Sequence, residues 1–384
     1  MIEYVSIFLI GFLCTYLFKN KKIIIFWFAI AWWFLLAFRN LHMSLYDTLG
    51  TYLRLFHGLQ FGYNDGLSSS NLLTSSILFV DFTKIIQLFS SNYHFFIAAV
   101  SLAPIIAIVY VISKYLDQPQ DVFIACIVYF SFFYFYSFFL LRQFFALALL
   151  AAFALPALLN KQSVKFFLAV AVAGLCHPSA FIFIIAYPIC LLFKYNLFFV
   201  FVSIGLSVAG LILPDIVFSF IQKVDISGNI LVYYQNGVYG AGTGSIPITC
   251  VVYIFLCVIY CYLSRKHESN KIVDNLAKLV CIGFIFLGWS GVVVEFYRIS
   301  FYFLFVAIIF MPYVLNMCVT SSGLPFVRFS GFSWIYIIVS FFLLIYLLKY
   351  SSVTTFCNPY VWVWDTSHYF PQWNNVKLVD PGNI

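Results

Sequence analysis

The chain has 384 residues, of which 64% are hydrophobic and 9% charged, with a mean hydropathy of +1.02. Soluble domains carry about 25% charged residues, so this composition excludes a soluble globular fold and makes lipid part of the solvent. The net charge of +7 is scattered through short loops with no basic stripe to follow a phosphate backbone, which argues against nucleic acid as a partner.

The pattern predicts an all-α, polytopic integral membrane protein forming a single membrane domain over residues 1–384. Apolar runs able to cross a core of ~30 Å fall at about 2–18, 23–38, 93–113, 122–140, 142–159, 196–213, 246–263, 279–296, 299–316 and 332–349. The first run has Glu3 before it and Lys19 after it, the reverse of a signal peptide's charge order, so it reads as a membrane helix. Residues 72–90 carry Asp81 and Lys84 and read as an interfacial helix. The stretch 166–193 breaks at His177-Pro178. It is long for one crossing and short for two, and reads as a pair of short helices with that dipeptide at the tip, or as a re-entrant hairpin. Most cysteines lie inside apolar runs without paired spacing and read as small apolar helix residues.

Ten of the fourteen lysines fall in loops that alternate consistently if both termini face outward. This predicts about 12 crossings, counting the short pair as two. The long connections at about 39–92 and 214–245 and the tail 350–384 then lie outside, and with them Arg39, Arg54, Arg142 and Arg298. These arginines run against the topology rule, so the chemistry is expected on the outer face.

Four constellations stand out. Arg39, Asp47, Tyr52 and Arg54 follow the second helix, either as a rim for an anionic head group or sugar, or as an interfacial segment with a snorkelling arginine. Arg142-Gln143 opens a helix after a long apolar run. A guanidinium is costly in lipid, but its planar fork suits a phosphate; the alternative is a flanking anchor. His177, with Ser179 near it, sits at a proline break within an apolar run, as a general-base candidate or as a kink residue bonded to a carbonyl. Glu295 and Arg298 are three apart on one helix, either as an ion pair that eases insertion or as a device that aims Arg298 into a cavity. No P-loop, GxSxG, HExxH or metal-ligand spacing is present, so no metal or other cofactor is expected.

The order of these landmarks resembles the EpsG-like family of bacterial polysaccharide polymerases, which includes Wzy-type O-antigen and capsule polymerases. Arg39, Asp47 and Tyr52 come first. LLRQFFALALLAA (140–152) is the strongest match, followed by AGLCHPSAFIF (173–183), YRISFYF (297–303) and Asn358-Pro359-Tyr360. The family's first motif often has Arg-x-x-Gly-x-Asp, whereas here no glycine lies between Arg39 and Asp47. The resemblance implies a multi-pass protein of the bacterial inner (cytoplasmic) membrane. It would move a growing glycan from undecaprenyl diphosphate onto an incoming lipid-linked repeat unit, embedded in membrane lipid, with a chain-length regulator and a flippase as candidate partners. In that setting His177, Arg142 and Arg298 are the expected catalytic residues. Arg39, Asp47, Tyr52, Arg54, Gln143, Ser179, Glu295 and Tyr302 are the expected substrate-binding residues. The rival readings are a lipid-linked oligosaccharide flippase, a membrane acyltransferase acting on surface polysaccharide, and a structural membrane subunit.

Overall fold

The computed structural model describes residues 2–39, 52, 53, 55, 56, 59, 76–138, 140–213, 247–265, 270–291, 293, 295–321, 328–329, 332–333 and 338–346. Asp47, Arg54, most of the two long connections and the tail from 350 lie outside these residues.

The described residues are almost wholly helical. In chain order they form α1 (Ile2–Phe18), α2 (Lys21–Ala37), α3 (Ile77–Gln87), α4 (Tyr93–Tyr115), α5 (Pro119–Phe132), α6 (Leu141–Leu159), α7 (Ser163–Cys176), α8 (Pro178–Leu192), α9 (Leu197–Ile212), α10 (Ile248–Leu263), α11 (Lys271–Trp289), α12 (Glu295–Leu304) and α13 (Ala307–Ser321). Residues 338–346 are also helical, and a two-residue antiparallel ladder pairs Arg328–Phe329 with Phe332–Ser333. Helices α4, α6 and α11 are each long and apolar enough to cross a membrane, and α12 and α13 together form a pair bent by 58°. The chain is a membrane protein.

Local sequence explains where the helices begin. Asn20, Asn92, Asn196 and Asn270 cap α2, α4, α9 and α11, each accepting a backbone N–H at 2.8–2.9 Å. In α6 the ladder widens to a π turn at Leu150–Ala154 just before Pro156. Proline has no N–H to give, and the wider turn absorbs that loss. Helix α3 is amphipathic as expected: Phe79, Val80, Thr83 and Ile86 are buried, while Asp81 and Lys84 pair at 3.0 Å in solvent. All nine described cysteines are free, and none makes a disulfide.

Three spans differ from the sequence reading, one being 299–316, which breaks between Leu304 and Ala307 with a bend of 58°. The run at 122–140 ends its α-helix at Phe132 and continues as a 3-10 turn, Tyr134–Phe138. Helix α11 begins at Lys271, earlier than the expected 279. Its polar first turns are satisfied inside the bundle: Tyr260 donates to Asp274 at 2.6 Å, and Lys278 donates to the Cys190 carbonyl and to Asn275 at 3.0 and 3.1 Å. Paired in this way, charged residues need not mark a helix end.

The stretch 166–193 folds back on itself. Phe166 of α7 packs against Phe183 and Tyr187 of α8 at centroid distances of 5.9 and 5.2 Å. A Cβ on Gly174 would fall within 2.4 Å of the Phe181 ring. The two legs form a hairpin with His177-Pro178 at its tip. Its second leg is a 3-10 helix from Pro178 to Ile185 before turning α-helical.

Candidate functional site

Three segments meet at one end of the bundle: the start of α6, the tip of the α7–α8 hairpin, and α12. Each brings one of the residues singled out by sequence.

Arg142 lies in the first turn of α6. Its Nη1 donates to Ser76 Oγ at 3.0 Å, its guanidinium carbon lies 5.9 Å from the centre of the Tyr52 ring, and its backbone N–H reaches the Tyr52 hydroxyl at 3.3 Å. Ser76 is fully buried at the N-terminus of α3. Among the described residues no acceptor reaches Arg142 Nε, which is itself shielded. The guanidinium is thus held by Ser76 through Nη1. A guanidinium can grip a carboxylate or phosphate through two parallel hydrogen bonds.

Arg298 lies one turn into α12. It pairs with Glu295 at 3.4 Å, as the spacing predicts, and remains partly exposed. Gln143 is 2% exposed, and its side-chain amide donates to the Arg298 carbonyl. It ties α6 to α12 and holds the two arginines in register.

His177 caps the C-terminus of α7 in an extended conformation, with Pro178 opening the return leg. Its Nδ1 is 2.6 Å from Ser179 Oγ and 3.1 Å from the Tyr302 hydroxyl, and the two hydroxyls are 3.0 Å apart. Tyr302 is completely buried, one turn beyond Arg298.

Arg39 is held by other contacts. It is fully buried, donates to the carbonyls of Leu36 and Phe138, and lies 4.8 Å over the Phe138 ring. It anchors the 3-10 turn that leads into α6. The structure therefore brings together His177, Ser179, Arg142, Gln143, Glu295, Arg298, Tyr302 and Tyr52; Asp47 and Arg54 lie outside the described residues. Sequence reasoning missed Ser76, whose signal is weak: a serine just ahead of an amphipathic helix.

An imidazole held by two hydroxyls beside two fixed cations can bind an oxyanion and move a proton next to it. Residues 22–362 match the model of a protein family described as the EpsG family. No curated protein matches the chain, and no solved structure does.

Proposed function

Because this chain belongs to the EpsG family, we propose that it is a polysaccharide repeat-unit polymerase of the bacterial inner membrane. It works on the outer face and crosses the membrane about 12 times. Its donor is a growing glycan on undecaprenyl diphosphate, and its acceptor is a hydroxyl on an incoming lipid-linked repeat unit. The bond between the anomeric carbon and the phosphate oxygen breaks, and its electron pair leaves with the diphosphate. The acceptor oxygen bonds to that carbon and gives up its proton. Arg142 and Arg298 receive the diphosphate charge, and His177 takes the proton. The alternation of loop lysines supports this orientation.

The observation that carries the reading is the His177–Ser179–Tyr302 cluster, on elements that Gln143 ties together at Arg142 and Arg298. A leaving diphosphate needs fixed cations, and a sugar hydroxyl is a poor nucleophile without a base.

Deletion of the gene tests the class of activity. A polymerase defect leaves single repeats on the carrier or on the final acceptor. Repeats trapped on the cytoplasmic side would instead identify a flippase, and full-length chains lacking a substituent an acyltransferase. The His177→Gln variant tests the residue. It keeps hydrogen bonding but loses the base, so polymer should be absent at a normal level of membrane protein. Normal ladders would remove His177 from the mechanism.

A further inference from the structure

The His177 cluster fixes its hydrogen bonds by distance. It contains two hydroxyl donors, Ser179 and Tyr302, and one ring nitrogen, all within 3.1 Å of one another. Neither hydroxyl has another partner among the described residues. Tyr302 is wholly buried, and a buried hydroxyl hydrogen left unspent is costly.

If Nδ1 carried the ring proton, it would donate to one hydroxyl. That would make the 2.6 Å contact to Ser179 an N–H···O bond, shorter than the ~2.7–3.2 Å such bonds take, or leave it unbonded. If Nδ1 is the acceptor, an O–H donor accounts for the 2.6 Å contact and both hydroxyl hydrogens are spent. Tyr302 O–H donates to Ser179 Oγ, and Ser179 O–H donates to Nδ1. The shorter contact, 2.6 Å against 3.1 Å, makes Ser179 the residue that donates to the ring. The reverse order, Ser179 to Tyr302 to Nδ1, leaves Nδ1 the acceptor all the same. In the neutral imidazole the proton must then sit on Nε2.

This assignment has a chemical consequence. A nitrogen that already carries a proton cannot accept one, so Nε2 is not the basic atom. The basic atom is Nδ1, and Ser179 Oγ stands in front of it. We propose that His177 acts as a base through Ser179. The acceptor hydroxyl gives its proton to Ser179 Oγ as the serine proton passes to Nδ1, leaving an imidazolium and an unchanged serine. The imidazolium later returns the proton to water. Ser179 is then a catalytic residue, and Tyr302 a positioning residue that occupies one lone pair of Ser179 Oγ and leaves the other for substrate. This inference rests on the polymerase reading for its substrate, but not for its tautomer.

The test uses the full chain in nanodiscs with 15N-labelled histidine, the His177 signals being assigned by their loss in His177→Gln. The wild type should show Nδ1 as an acceptor and Nε2 as N–H. In Ser179→Ala the Tyr302 hydroxyl can still donate to Nδ1, so the tautomer should persist while the turnover rate falls on the order of 10²-fold or more. Ser179→Thr should restore most of the rate. Tyr302→Phe should keep the tautomer, with a smaller loss of rate. The double variant should lose the tautomer preference as well.

Full turnover by Ser179→Ala with the tautomer intact would make Ser179 merely structural and overturn the relay. A wild-type ring protonated at Nδ1 would overturn it whatever the chain catalyses. The polymerase reading fails separately, if the tautomer is as assigned and His177→Gln still makes normal polymer.

Discussion

Arg142 is held by Ser76 and rests near the Tyr52 ring, while its Nε is shielded and meets no acceptor among the described residues. A lysine would keep the charge but lose the planar fork. Arg142→Lys should therefore cut polymerisation by roughly 10²-fold, about the cost of one lost oxyanion donor, with membrane protein level unchanged. Polymer length per unit of membrane protein checks this, and a fully active variant would leave Arg142 as an anchor for α6. Sequence reasoning found the arginine from its misfit with the topology rule, but not how its neighbours divide the work. Residues adjacent on a helix point about 100° apart, so Gln143 turns inward to Arg298 while Arg142 faces Ser76 and Tyr52. Tyr302, read from sequence as a substrate contact, lies behind the imidazole with no exposed surface. Those distinctions depend on which helix packs behind each face, and local sequence does not carry that.

The elements owe their close packing to small residues at crossings. Gly174 lets α7 lie against the Phe181 ring, whereas Gly288 lets α11 lie against Ser207 of α9. The two differ in what an added methyl would meet. At Gly174 the nearest atoms it meets belong to the ring of Phe181, which is partly exposed and can turn away. At Gly288 it meets Ser207 Oγ at 2.0 Å and the Ser207 backbone oxygen at 2.8 Å, and backbone cannot rotate aside. Gly288→Ala should lower stability by about 1–3 kcal/mol, as overpacking does, and Gly174→Ala by less. Thermal unfolding of both variants in one detergent decides the order, and a larger loss at Gly174 would contradict it. The hairpin at 166–193 was legible from its length and from Pro178. The start of α11 was not, because Asp274 and Lys278 look like loop charges until Tyr260 and the Cys190 carbonyl are seen to satisfy them.

Across the whole molecule, polar contacts sort the connections to two ends of the bundle. At one end Lys21 pairs with Asp117 at 2.6 Å, Tyr313 donates to the Tyr115 carbonyl, and Lys278 reaches Cys190. At the other end Arg39 reaches Phe138, Arg142 reaches Ser76, and Gln143 reaches Arg298. Lys21 and Lys278 lie at the first end and the candidate site at the second, and we propose that the second end faces outward. In a cysteine-free background, Ser91→Cys should label with an impermeant thiol reagent in cells whose inner membrane is intact. Gln118→Cys, at the far end of α4, should label only once that membrane is broken, and the opposite pattern would invert the topology and move the site to the cytoplasm. By itself the sequence determined the solvent, the helical class, the family and the identity of the unusual polar residues. Composition, spacing and charge bias are properties of the chain read in order, and they are fixed before any helix meets another. Only the tertiary structure decided that Ser179 and Tyr302 close around His177 Nδ1, that Ser76 binds one side of Arg142, and that Arg39 is buried against Phe138. These contacts join residues up to 125 positions apart. Each depends on the packing of whole helices, where the need to satisfy every buried donor leaves few arrangements open.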